Sequence, residues 1–170
     1  LALLSGGIDS PVAIWQILKR GINVDAIYFH SPPYTGEKTT EKIKDLIKTL
    51  NLWTPKPIEL HIINISKALE TLKKETPEEF TTILQRRFMY RIAEKIAKNH
   101  HALITGEAIG QVASQTIENI NCTSAATKMT ILRPLISFDK QEIIEKAKKI
   151  GTYKISIQPY QDCCHLFAPD

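Results

Sequence analysis

The fold turns on residues 1–15, LALLSGGIDSPVAIW. Leu1 to Leu4 is an apolar run without polar alternation, the pattern of a strand buried on both faces. A polar turn follows at once. Gly6 and Gly7 permit a close backbone approach that a β-carbon would forbid, and Ser10 is placed to cap a helix whose first position, Pro11, has no amide hydrogen to lose. That helix is expected to carry Ala13, Ile14, Ile17 and Leu18 on its inner stripe, Lys19 and Arg20 in its last turn and Gly21 past its end. Strand, glycine turn and helix N-terminus together make an anion site, because unpaired amides converge where the helix dipole is positive. Phosphate is the commonest occupant of such a site; for the two glycines alone, a plain strand-to-helix turn is the alternative.

Ser5, Asp9 and Ser10 favour the phosphate reading. The two hydroxyls can donate to phosphate oxygens, whereas the Asp9 carboxylate would repel a bare anion and makes sense with a Mg²⁺ ion between them. The loop lacks the GKS or GKT ending of a P-loop, so a triphosphate bound here needs its lysine from elsewhere in the chain.

With 170 residues the chain is expected to form a single domain, residues 1–170. A hydrophobic share of 43% and a charged share of 24% are ordinary for a globular protein, and a net charge of +4 permits nucleic-acid binding without demanding it. No apolar run has the length of a membrane span and no signal peptide is evident, so the expected location is the cytoplasm, away from membranes. The cysteines, Cys122 and the adjacent Cys163 and Cys164, do not form a secreted disulfide framework. The sequence has no initiator Met and starts on a core strand, which suggests an excised or incomplete domain.

Apolar segments then alternate with helical ones. Strands are expected at 23–29, 57–65, 102–105 and 130–132, and a helix at 37–50 with Ile43, Leu46, Ile47 and Leu50 on one side. TPEE is expected to open a long helix to about Asn99, with Thr76 as N-cap, Pro77 at the first position and Glu79 completing a capping box. Asp139 and Glu142 predict a second capping box for a helix over 140–150 closed by Gly151. The order implies an α/β fold: an open, parallel, five-stranded sheet with helices on both faces. Ligands of such sheets bind beyond the carboxyl ends of the strands, which selects the loops SGGIDS, FHSPPY, TGEAIGQVASQ and RPLISFDK. In the third loop Glu107, Gln111 and Gln115 add polar groups, the glutamines one turn apart if a helix starts there, while Gly106 alone could be a mere turn.

On the long helix Phe88, Met89, Ile92, Ala93, Ile96 and Ala97 share an apolar side, and Arg86 falls within that arc. A charge there wants a partner, unless it snorkels to solvent. Arg87 and Arg91 lie on the polar face, exposed or in reach of RNA phosphates. His100 and His101 read as caps of the helix end and Cys122 as a packed thiol.

SGGIDS, FHSPPY, RRFMYRIAEKIA, TGEAIGQVASQT, RPLISFDKQEII and PYQDCC, in this order over nearly the whole chain, resemble the catalytic domain of the tRNA 4-thiouridine synthetases, the ThiI family of PP-loop ATP pyrophosphatases. SGGxDS marks the superfamily; GQVASQ after TGE, with the DCC tail, is far more specific. The resemblance implies a Rossmann-like sheet of the adenine nucleotide alpha hydrolase type. It implies an ATP-dependent tRNA sulfurtransferase that adenylates the C4 oxygen of the uridine at position eight and replaces it with persulfide sulfur, and that also serves thiamine thiazole synthesis. By resemblance ATP falls to Leu3, Leu4, Ser5, Gly6, Gly7, Asp9, Ser10, Tyr28, Phe29, Arg86, Gly106 and Gln115. Many relatives have His where Tyr28 stands; a backbone contact to adenine survives that change and a side-chain contact does not. Asp9 matches the acidic residue that works with Mg²⁺, and Lys140 supplies the positive charge missing from the loop.

The resemblance gives Cys163 the sulfur chemistry, forming a disulfide with the persulfide donor as sulfur is released, with Cys164 in reserve. Asp162 beside them would raise a thiol pKa, which leaves the activator unnamed. The partners implied are tRNA and a cysteine desulfurase or rhodanese-type persulfide donor, with a homodimer left open. The family's RNA-binding THUMP region and its rhodanese domain are not represented in the 170 residues. The alternatives are another PP-loop tRNA thiolase, an amidating adenylating enzyme, or a nucleotide-binding module without catalysis.

Overall fold

The computed structural model describes residues 1–160 and, of Ala113, the backbone alone. In chain order the elements are β1 (Ala2–Leu3), α1 (Asp9–Leu18), β2 (Ala26–His30), α2 (Glu37–Leu50), β3 (Leu60–Asn64), α3 (Ser66–Glu75), α4 (Glu78–Ile96), β4 (Ala102–Ile104), α5 (Ile117–Ser124), β5 (Thr130–Leu132), α6 (Lys140–Ile150) and α7 (Tyr153–Ser156). The strands form one parallel sheet in the order β3-β2-β1-β4-β5. The chain thus winds outward from β1 in one direction, then crosses back to β4 and winds outward in the other. The loops after β1 and β4 therefore diverge and leave a crevice between them.

Both faces are covered, as the strand composition requires. Ala2, Leu4, Ala26, Tyr28 and Ile104 pack with α1, α2 and α6, while Leu1, Ile27, Phe29 and Leu103 pack with α3 and α4 through Leu69, Met89, Tyr90 and Ala93. Neighbouring residues go to opposite layers because side chains alternate along a strand. Val12, Ala13, Ile14, Trp15 and Leu18 of α1 are all buried, a wider contact than the expected stripe.

Two helix starts differ from expectation. Helix α1 begins at Asp9 with Ile8 at the cap position and no side-chain cap bond, so Ser10 lies inside the first turn. Its hydroxyl turns back instead, accepting from the Ser5 amide at 2.8 Å and donating to the Ser5 carbonyl at 3.2 Å. The helix ends at Leu18, which places Lys19 and Arg20 beyond it.

The second difference is at Thr76. Residues 66–75 form α3, and Thr76 ends that helix, its amide reaching the Leu72 carbonyl at 3.1 Å and its hydroxyl the same oxygen at 2.6 Å. Pro77 forces the residue before it out of the helical region, and Thr76 is extended at φ −128°, ψ 146°. Pro77 is then the cap of α4, not its first residue, and the Glu79 capping box does not form. At α6 the capping box is complete: the Glu142 amide donates to Asp139 at 2.8 Å and the Asp139 amide to Glu142 at 2.9 Å. Gly151 closes that helix at φ +83°, a left-handed angle that suits glycine.

His100 does not cap α4, which ends at Ile96; its Nε2 lies 3.0 Å from Asp25 below the sheet. Burial pushes the Asp25 carboxyl up, but the Glu59 amide and His100 outweigh it and hold it below its ordinary value. Cys122 on α5 is exposed, not packed, because its helix presents that side to solvent. Among the described residues no helix is long and apolar enough to cross a membrane.

Candidate active site

The site is built from the loop after β1 upward. Ser5 and Ser10 share a hydroxyl contact of 3.1 Å, and the Gly7 amide reaches Ser5 Oγ at 3.3 Å, so the loop closes on its own side chains. From the far end of the fold, the Ser156 hydroxyl of α7 donates to the Gly7 carbonyl at 3.1 Å. In a trans peptide the next amide points the opposite way, so this bond fixes the direction of the Ile8 N–H at the start of α1. The Ser5 and Gly7 amides are thus taken up inside the loop, and the oriented donors are those at the start of α1, which have no intrahelical acceptor.

Gly106 explains why the start of α1 can lie so close to the chain leaving β4. A β-carbon there would meet the Ser10 amide nitrogen at 2.8 Å and the Asp9 carbonyl carbon and Ser10 α-carbon at 2.9 Å. The chain leaving β4 crosses directly under the start of α1, and only glycine leaves room for it. Gly106 is therefore more than a turn residue: it lets the two diverging loops touch.

Asp9 stands at the lip of the crevice. Its Oδ1 accepts from Lys140 Nζ at 2.8 Å and its Oδ2 from Gln111 Nε2 at 2.8 Å. Lys140 is the first residue of α6, held there by the capping box, so a cation 131 positions away is delivered to the loop after β1. Gln111 and Gln115 do not share a helical turn. Gln111 lies in the loop, and Gln115 ends a single 3₁₀ turn over Ala113–Gln115, because Gly110 takes a left-handed φ of +72°.

Behind Asp9 lies a second charge cluster centred on Glu107, which is only 5% exposed. Arg86 Nη1 donates to Glu107 Oε1 at 2.9 Å, and Arg133 Nε donates to Oε2 at 2.7 Å. Tyr90 and Thr105 donate their hydroxyls to Oε2 at 3.0 and 2.9 Å. Burial pushes the Glu107 carboxyl up, but the two guanidiniums and the bonds from Arg133 and Thr105 outweigh it and hold it below its ordinary value. Burial and the Glu107 charge push the Tyr90 phenol up. The partner that Arg86 needed on the apolar side of α4 is this carboxylate. Arg133 was legible only as the head of a loop; an arginine directly after a strand facing the crevice is the signal that could have singled it out.

The end of β2 has fewer side chains to offer. Tyr28 and Phe29 are both buried, on opposite faces of the sheet. The carbonyls of Asp25 and Ile27 accept from Ala2 and Leu4 on the β1 side, while the Ala26 amide and the His30 carbonyl bond toward β3. By this alternation Phe29 turns its peptide groups to the β1 side one step past Leu4, at the mouth of the crevice. Leu3 ends β1 and Leu4 follows it. Arg87 bonds to the Cys122 carbonyl on α5, and Arg91 is exposed. Cys163 and Cys164 lie outside the described residues.

Among the described residues no group of three or more His, Cys, Asp or Glu could hold a metal. Asp9 offers one carboxylate, so a Mg²⁺ ion fits here only when it is shared with phosphate oxygens, which is how that ion is commonly held.

A family model described as "Thiamine biosynthesis protein (ThiI)" matches residues 1–170. The chain belongs to the ThiI family. It is similar to a probable tRNA sulfurtransferase of Coxiella burnetii, 61% identical over 99% of this chain and 43% of that protein. A probable tRNA sulfurtransferase of Thermotoga maritima is 52% identical over 98% of this chain and 44% of that protein. A solved structure of a 4-thiouridine synthetase–RNA complex with bound ATP superposes with a TM-score of 0.93 at 51% identity, covering 99% of this chain and 44% of that one. The chain thus spans less than half the length of these ThiI-family relatives. An NMN synthetase of Francisella tularensis, at 21% identity and a TM-score of 0.66, shares the fold.

Proposed function

We propose that this chain is the ATP-handling domain of a tRNA 4-thiouridine synthetase. The observation that carries the reading is the meeting of Lys140 and Asp9 at 2.8 Å, at the N-terminus of α1 and at the point where the sheet order reverses. A uracil carbonyl oxygen is a poor leaving group, and adenylation makes it a good one. The O4 atom attacks the α-phosphorus of ATP, the bond to pyrophosphate breaks, and the N3 proton leaves so that the ring stays neutral. Sulfur then adds at C4 and AMP departs.

In that sequence the amides of the first turn of α1 bind the departing pyrophosphate with the Ser5 and Ser10 hydroxyls beside them, and Gly106 and Gln115 line the nucleotide. Lys140 lies where negative charge grows during the transfer, and such preplaced charge stabilises a transition state. Asp9, with phosphate oxygens, would hold Mg²⁺, which supplies charge neutralisation when bound. Glu107 holds Arg86 and Arg133 in fixed positions beside the crevice. The Phe29 backbone reads adenine from the end of β2, which accounts for tolerance of Tyr28 in the neighbouring position. Cys163 forms a disulfide with a persulfide donor, a cysteine desulfurase or rhodanese-type protein, and so releases the transferable sulfur.

The test uses the complete protein with tRNA, ATP, Mg²⁺ and a persulfide donor, and follows near-ultraviolet absorbance of the thiocarbonyl. Lys140→Met and Asp9→Ala are expected to lower kcat by about a hundredfold or more, the scale of losing one preplaced charge. Cys163→Ser is expected to abolish the absorbance while pyrophosphate still forms. Thiolation retained in Cys163→Ser and lost in Cys164→Ser would move the sulfur role to Cys164.

A further inference from the structure

Pro11 leaves a gap in the first turn of α1. In a helix the carbonyl of one residue accepts from the amide four residues on, so the Gly7 carbonyl would look to residue 11. Proline has no amide hydrogen, and Gly7 is left without its helical donor. The Ser156 hydroxyl, from 149 positions away, donates to that carbonyl at 3.1 Å in its place.

The bond governs a group that faces the site. Ile8 has helical angles, φ −71° and ψ −33°, so its N–H runs parallel to those that follow at the start of α1. Among the described residues that N–H has no protein acceptor. It shares one trans peptide with the Gly7 carbonyl, and the two point in opposite directions. Glycine resists rotation of the following peptide least of all residues, so this is the plane in the loop most free to turn over. Turned over, it would present the Gly7 oxygen where the Ile8 N–H now stands, and a carbonyl facing a phosphate repels it. The loop's own hydroxyls do not hold this plane: Ser10 Oγ takes the Ser5 amide at 2.8 Å and Ser5 Oγ the Gly7 amide at 3.3 Å, both in earlier peptides.

Ser156 is mounted firmly enough for the task. It is 7% exposed, and its amide donates to the Thr152 carbonyl at 2.9 Å. Thr152 is fully buried and donates its own amide to the Ala147 carbonyl of α6 at 3.0 Å. Just past α7, Lys42 of α2 donates Nζ to the Gln158 carbonyl at 3.1 Å. Two helices thus hold α7 against the loop.

We propose that Ser156 is a positioning residue for the pyrophosphate: it supplies the hydrogen bond that Pro11 cannot, and so keeps the Gly7–Ile8 peptide turned with its N–H toward the phosphates. This role rests on the adenylation reading of the same site. It is tested by calorimetry on the complete protein with Mg²⁺ and, in separate titrations, inorganic pyrophosphate, ATP and AMP. Ser156→Ala is expected to bind pyrophosphate and ATP about tenfold more weakly, roughly the worth of one hydrogen bond to a charged group. AMP, which leaves the pyrophosphate position empty, is expected to bind within about twofold of the wild type. Adding Pro11→Ala restores an amide to the Gly7 carbonyl, so the double variant is expected to return to within about threefold of the wild type for pyrophosphate, a coupling that two unrelated sites would not show. Unchanged pyrophosphate affinity in Ser156→Ala, an equal loss for AMP, or a double variant no better than the single one would each overturn the proposal. A wild type that binds neither ATP nor pyrophosphate would instead overturn the adenylation reading.

Discussion

Glu107 shows how much one side chain organises here. It gathers Arg86, Arg133, Tyr90 and Thr105 into one buried cluster, and removing a partner from such a cluster costs about 3–5 kcal/mol because a charge is left uncompensated. Its carboxyl is held below the ordinary value in the folded chain, so the folded state binds fewer protons than the unfolded one at mildly acid pH. Its contribution is therefore complete above the ordinary glutamate range and is lost as pH falls through the lowered folded value. Thermal unfolding measured from pH 7 down to pH 3 is expected to show the wild type losing stability more steeply than Glu107→Gln at the acid end, with Glu107→Gln less stable at pH 7. Equal slopes would remove the cluster from the account. Asp9 could be singled out from its loop, whereas Lys140 and Gly106 were named through the family resemblance, and the contacts they make here are long-range. Arg133 stood only as the head of a loop, since its partner is a carboxylate 26 positions earlier.

At the scale of elements, α6 is the one that matters most to the site, because its first residue is Lys140. Its start was legible from Asp139 and Glu142 three positions apart, and both reciprocal bonds are present. Asp139→Ala is expected to cost about 1 kcal/mol, the usual worth of such a cap. That lowers Tm by roughly 2–4 °C in a chain of this size. Fraying at the same end loosens Lys140, so kcat for thiolation should fall as well; a Tm change with kcat untouched would separate the cap from the site. The start of α4 was misplaced because Thr-Pro-Glu-Glu reads equally as a helix opening, while Pro77 had already bent Thr76 away to finish α3. Helix α3 itself buries little, only Ser66 and Leu69, and so left a faint pattern. Helix α7 has four residues and no periodicity to read, yet its Ser156 fixes the Gly7 carbonyl. Short elements defined by one long-range bond are the kind that local sequence patterns miss.

Across the whole molecule, the parallel sheet and its two covered faces were legible because strands and helices alternate and the strands are apolar throughout. The order β3-β2-β1-β4-β5 adds what alternation alone does not contain: the reversal between β1 and β4. That reversal brings the Ser5–Ser10 loop, the Gly106–Gln115 loop and the start of α6 to one place. On the proposed reading, the first-turn amides of α1, with Lys140 and Asp9 beside them, hold the pyrophosphate and leave the α-phosphorus open to a base. The direct measurement is the fate of ATP labelled at the α-phosphate when the complete protein thiolates tRNA. The label is expected in AMP, with one pyrophosphate released for each 4-thiouridine formed. Label appearing in ADP, or thiouridine forming without pyrophosphate, would contradict the account.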